Sequence, residues 1–252
     1  MHESPVNIRR ARTWRTVAAG SLASLLLLAA CQTQAPSADT AVLAAPATAG
    51  INVPADAPRF VVDAQASEIR LLVYRAGALA RLGHNHVITG RARGEIRAGE
   101  RAGGSGFRLE IPVDSFAVDP PAARAEEGAE FAAEVAEDAR QATRKNMLGS
   151  DVLDAANHPL ITIESVALSG PRWNPTVLAR VTLRGVTRDL RFPAAVIQEG
   201  NLLTVVASFR IRQTDFALHP LAVLGGGLQV ADAIDIRLRL VARRANQPRP
   251  PG

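Results

Sequence analysis

The chain has 252 residues, 47% hydrophobic and 21% charged, with a formal net charge of +5 and a single cysteine. That mix can bury a core, which excludes a disordered or collagen-like chain, and one cysteine excludes an intrachain disulfide framework. Its arginines alternate with apolar residues and Lys145 is the sole lysine, so no concentrated basic patch marks a nucleic-acid partner.

Arg9, Arg10, Arg12 and Arg15 precede an apolar run from Val17 to Ala30. Basic, then apolar, then small is the order of an export signal, and the run is short for a bilayer span. Leu28-Ala29-Ala30-Cys31 resembles a bacterial lipobox, which implies cleavage after residue 30 and acylation of Cys31. Gln32 after the cysteine implies an outer-membrane anchor with the folded part facing the periplasm. Removing residues 1–30 takes away four arginines and Glu3, leaving 25 basic and 23 acidic residues, or +2. Residues 31–58, rich in Ala, Pro and Thr, read as the acylated cysteine and a flexible tether, and 246–252 as a disordered tail. Residues 59–245 are then one folded domain.

Within that domain period-two patterns recur. Short runs are Ile69-Leu71-Val73, Ile161-Ile163 and Val177-Ala179-Val181-Leu183; longer ones are Phe107-Leu109-Ile111-Val113, Leu203 to Ile211 and Ile234 to Leu240. Each has one apolar and one polar side, the mark of antiparallel sheet with one face on a core. A hairpin through Arg184-Gly185 is expected to join Leu183 to the run ending at Val196. One segment breaks the pattern: Asp119-Pro120-Pro121 is followed by Glu126 to Leu148, with Phe131, Val135, Ala139 and Ala142 at helical spacing. Its acids come first and its bases last, which suits the helix dipole, with Gly149 as the stop. The thin apolar stripe predicts a helix lying across a barrel surface or mouth.

Several ordered stretches resemble one family. They are Arg144-Lys145-Asn146-Met147, Val152-Leu153-Asp154, His158 to Ser165, Val181 to Arg188, Phe209 to Phe216 and Val230 to Ile236. Together they are similar to the YceI-like, polyisoprenoid-binding family and cover nearly all of the domain. The resemblance implies a mainly β fold: an extended antiparallel lipocalin-like barrel of about eight strands with one helix alongside. It also implies a periplasmic binding protein, not an enzyme, that takes an isoprenoid lipid or quinone and needs no cofactor. The residues implied on the ligand's walls are Leu71, Val73, Tyr74, Phe107, Leu109, Ile111, Ile161, Ile163, Phe209 and Ile236. Without the resemblance, a filled core is the expectation for a small barrel. A tail of about forty carbons would gross roughly 30 kcal/mol at ~0.8 per buried CH₂. That exceeds the practical ceiling of about 20 kcal/mol, so tail ordering and incomplete burial must cancel much of it.

Leu82-Gly83-His84-Asn85-His86-Val87 is the segment richest in chemistry. If extended, His84 and His86 point to one side, at a spacing suited to one metal ion or one polar head group. Three readings stay open: hydrogen bonds at a turn and strand end, contact with a head group or quinone carbonyl, and metal binding or metal-assisted hydrolysis. The last lacks an evident third ligand or general base nearby in sequence. The better-known branch of the family carries aromatic or aliphatic residues at this pair. Tyr74 and Arg75, on the strand before it, are further head-group candidates. The Gly225-Gly226-Gly227 run reads as a loop or a lid.

Overall fold

Alternation of apolar and polar side chains dictates sheet, and the computed structural model, which describes residues 41–43 and 52–245, is built almost entirely of it. The export signal, Cys31, most of residues 31–51 and the tail at 246–252 lie outside the described residues. The strands are β1 (Ala41–Leu43), β2 (Arg59–Val62), β3 (Glu68–Ala76), β4 (His86–Gly90), β5 (Arg93–Arg97), β6 (Gly106–Pro112) and β7 (Ala117–Val118). They continue as β8 (Leu160–Ser169), β9 (Thr176–Leu183), β10 (Val186–Pro193), β11 (Ala195–Glu199), β12 (Leu202–Arg212), β13 (Ala222–Val223) and β14 (Leu228–Arg244). Neighbours pair antiparallel in the order β1-β10-β9-β8-β6-β5-β2-β14-β3-β4-β7. Along its other side β14 pairs with β12, which in turn carries β11. Strands β10 and β12, which are not hydrogen-bonded neighbours, meet where Phe192 stacks on Phe209, ring centroids 4.2 Å apart. The inward faces share one core that includes Phe60, Leu190, Leu203 and Phe216. This is the mainly antiparallel architecture expected.

Local sequence explains the connections. The β9–β10 hairpin turns on Arg184 and Gly185, whose φ values are 49° and 76°; two left-handed residues give the turn that matches strand twist. Two pieces of the segment read as a tether lie against the sheet. Residues 41–43 extend the edge of β10, and Asn52 N donates to Ser165 O at 2.8 Å.

The single helix expected over 126–148 is corrected. The chain forms a short α1 (Pro121–Ala125), a 3₁₀ turn at Ala129–Phe131, and α2 (Glu137–Leu148). The acids that looked like a helix start are drawn to the sheet instead. Buried Glu127 pairs with Arg70 of β3 at 2.9 Å and with Arg237 of β14 at 2.8 Å, and Glu126 pairs with Arg70 at 2.9 Å. The same segment lays Ala123 and Phe131 over Leu72 and Val87 on the outer face of β3 and β4. Several partly buried charge pairs and a small apolar patch outweigh the few tenths of a kcal/mol that acids add at a helix N-terminus.

Candidate functional site

The inward faces do not fill the interior. One compartment of about 160 Å³ is walled by residues from most strands, among them Phe107, Leu109, Ile111, Ile163, Phe209 and Ile236. A second, of about 210 Å³, is walled by Val73, Ile88, Met147, Leu218 and Val230 among others. Leu71, Phe116, Ile161, Leu183 and Ile211 belong to both walls. The two spaces therefore adjoin, with these five residues where they meet, hereafter the neck. Polar side chains are few in the first compartment (Arg97, Ser105, Arg172), and in the second they are His86, Thr143, Asn146 and Gln213.

Of the residues expected on a ligand's walls, Tyr74 is corrected. Strand alternation turns it, with Leu72, to the outer face, where its ring meets Phe131 edge-on at 5.7 Å. Its hydroxyl donates to Asp235 Oδ2 at 3.1 Å. Burial, and then the Asp235 charge, push the Tyr74 hydroxyl up to about 12. Leu71 and Val73, one residue to either side of Leu72, face the cavity.

His86 opens β4, opposite Val73 of β3, and faces the second compartment. Its partner is a residue that sequence reasoning missed. β7 pairs with β4 through Ile88 with Val118 and Thr89 with Ala117. The next residue, Asp119, then lands beside His86, its Oδ2 accepting from Nδ1 at 2.6 Å. Asp119 is fully buried with φ 51°, a left-handed conformation that aspartate tolerates better than most side chains. Its Oδ1 accepts from Val87 N at 2.8 Å and Arg124 Nη1 at 2.5 Å. Arg124 is also buried, and it donates further to Asn85 O and Ala133 O, both at 2.8 Å. Burial alone would push the Asp119 carboxyl up; the hydrogen bonds from His86, Val87 and Arg124 overcome it and hold the group below 3.8. A depressed folded value stabilises the fold above the ordinary carboxylate range and is lost as pH falls through the folded value. Acid unfolding is therefore expected below about pH 4, with Asp119→Asn flattening that limb of a stability–pH curve measured by urea titration.

His84 precedes the strand. Its ring meets that of His86 at 62°, centroids 4.5 Å apart, and its Nε2 is buried without a hydrogen-bond partner among the described residues. Burial first, and His86 second, lower its pKa from 6.5. The loop carrying it is fixed from both sides: Arg75 N donates to Asn85 Oδ1 at 3.0 Å, and Leu79 N donates to Gly227 O at 2.7 Å. The glycine run thus supports the histidine loop. Gly77 has φ 90°, and a Cβ there would sit 2.5 Å from Gly227 O. Gly77→Ala is expected to cost about 1–3 kcal/mol through strain and this clash, and to broaden the His84 ring signals in an NMR spectrum.

One donor atom from each of His84, His86 and Asp119 lies within 4.8 Å of the others. Such a set suits a transition metal by type. Both carboxylate oxygens are already engaged, however, and a cation would sit close to the Arg124 guanidinium. The arrangement as it stands is a buried acid orienting an imidazole on the wall of the second, mainly apolar compartment.

Residues 60–242 match the YceI-like domain. The chain belongs to the YceI-like family. The YceI-like fold is also seen in the crystal structure of BcnA from Burkholderia cenocepacia, at 17% identity and a TM-score of 0.50, covering 71% of this chain and 98% of that one. A polyisoprenoid-binding domain from Saccharophagus degradans, implicated in plant cell wall breakdown, matches at 15% identity and a TM-score of 0.50. That match covers 74% of this chain and 98% of the other. Among curated proteins, none matches. At these identities the likeness concerns fold, and this YceI-like chain's own residues must carry the functional argument.

Proposed function

We propose that the protein is a binding protein that holds an isoprenoid-type lipid or quinone, its apolar tail in the first compartment and its head beside His86 and His84. The observation that carries this reading is the pair of adjoining, mainly apolar compartments, the second of which is also lined by His86, Thr143, Asn146 and Gln213. Such a cavity supplies affinity through apolar burial and selectivity through a few polar groups. The polyisoprenoid-binding domain of similar fold supports the same ligand class. The export signal and lipobox-like Cys31 support a lipoprotein facing the periplasm and tethered to the outer membrane, able to act there as carrier, reservoir or sensor. Organic extraction of protein purified from its own host, followed by mass spectrometry, is expected to release an isoprenoid at near-equimolar yield. An apolar-free extract would overturn the proposal. The unpartnered His84 Nε2 favours a second reading, a metal-binding protein or metal-dependent hydrolase built on His84 and His86. Stoichiometric zinc or copper, lost in the His84→Ala, His86→Ala double variant, would support it.

A further inference from the structure

We infer that the rim of the second compartment is a membrane-docking face, on which four exposed apolar side chains enter a lipid bilayer bearing anionic head groups. The inference goes beyond the lipid-binding reading and rests on it only for what then passes over the rim.

Two loops build this rim. One, residues 77–83, leaves β3 and leads to the histidines; the other, residues 217–227, carries β13 and turns into β14. β13 pairs with the start of β14, Ala222 with Gln229 and Val223 with Leu228, so residues 224–227 form a hairpin tip. The loops are clasped together. Leu79 N donates to Gly227 O at 2.7 Å, and a Cβ on Gly83 would lie 3.0 Å from Leu228 Cδ1. They therefore act as one surface.

What that surface presents is apolar. Leu82 is 62% exposed, Leu224 65%, Val223 45% and Leu221 40%. A single exposed leucine needs no explanation, but four such residues on two touching loops make a patch of the kind that meets a partner. Leu224 also has φ 54°, a left-handed conformation that leucine rarely adopts. The tip thus keeps an exposed leucine where glycine would cost less. Leu221 belongs both to the patch and, with Leu218 and Val230, to the wall of the second compartment. The apolar lining of the cavity runs on to the outside.

Charge names the partner. Residues 75–87 and 216–231 contain no acid, and their fully charged side chains are the exposed Arg75 and Arg81. The acids that bracket the second stretch are Asp215 and Asp232, and both oxygens of Asp232 accept from Thr214. Apolar tips flanked by arginine suit a bilayer surface, with leucines at the boundary of head groups and acyl chains and guanidinium groups among the phosphates. A second copy of the chain, docked through the same face, would set these arginines against their own like. A lipid bound for the cavity would leave the bilayer over an apolar edge without crossing water.

Tryptophan quenching tests the docking face in the full chain. Leu82→Trp, Leu224→Trp and, as a control on β2, Val61→Trp are each mixed with vesicles of phosphatidylethanolamine and phosphatidylglycerol that carry acyl-brominated phosphatidylcholine. The readout is the emission that each variant adds over the wild type. An indole ~5–10 Å into the bilayer lies within reach of bromine, so the two rim variants should lose about half of that emission and Val61→Trp almost none. Replacing phosphatidylglycerol by phosphatidylcholine should reduce the loss, because the two arginines then lack anionic partners; an unchanged loss overturns the assignment to anionic lipid. Absence of quenching in both rim variants overturns the inference, as does equal quenching of all three. So does a blue shift of the rim tryptophans that grows with protein concentration and not with lipid, the mark of self-association. Leu82→Trp, outside the left-handed region, keeps the test open if Leu224→Trp does not fold. The cavity need not be filled, so a negative result leaves the lipid-binding reading intact, and a failed ligand extraction leaves the docking face in place.

Discussion

Asp119→Ala is expected to destabilise the domain by about 3–5 kcal/mol, the usual consequence of breaking a buried charge pair from one side. Arg124, nine-tenths buried, would keep its charge with no counter-ion. The His86 ring would lose the group that orients it, and Val87 N its acceptor. Alanine also sits less easily than aspartate at φ 51°. For a domain of this size the loss corresponds to a fall in Tm on the order of 10 °C, at roughly 2–4 °C per kcal/mol. Differential scanning calorimetry measures it. Asp119→Asn separates the charge from the backbone requirement, since asparagine accepts a hydrogen bond and tolerates the left-handed region. Adding Arg124→Leu to Asp119→Asn should recover part of the stability, because the uncompensated charge then disappears with its partner. A double variant no better than the single would show that packing, and not charge, holds α1 against β4.

Filling the neck should abolish binding of a long tail without abolishing binding of a short one. Leu183 stands where the two compartments meet, and Leu183→Trp would place an indole across the passage. Overpacking a filled core costs about 1–3 kcal/mol; space at the neck should keep the cost toward the lower end. A forty-carbon isoprenoid, which must lie in both compartments, is expected to lose at least about tenfold in affinity, or about 1.4 kcal/mol. A fifteen-carbon analogue that fits one compartment should be affected little. Val61→Trp, on an exposed strand position, is the control for a tryptophan that blocks nothing. Isothermal titration of both ligands against both variants measures this. Loss of both ligands alike would mean that Leu183 matters to the fold and not to a passage.

The alternation in β6, β8, β12 and β14 was legible because each strand has one face on the core, and a period of two is what such a strand must show. The positive-φ turn at Arg184-Gly185 was legible for the same local reason. The segment from Pro121 to Leu148 was not, because its fate depends on partners far along the chain. Glu127 answers to Arg70 and Arg237, pairings that no local pattern announces. Tyr74 fell on the wrong face for a related reason: the outer surface of β3 is not wet there but covered by Phe131, so apolarity on that strand did not distinguish inside from outside. The histidine pair was visible, but the acid that gives it direction was not. Asp119 is 33 residues from His86 and arrives only because the two-residue strand before it pairs with β4. Its one local trace was the Asp-Pro-Pro sequence, which marked an end to the strand and not a site.

Crystals grown with a long isoprenoid alcohol brominated at its tail end would test the continuous passage most directly. The anomalous map is predicted to show bromine in the first compartment near Phe192 and Phe209, with the head group beside His86 in the second. Bromine on the outer surface only, or the five neck side chains closed across the axis with no tail density between them, would contradict the account.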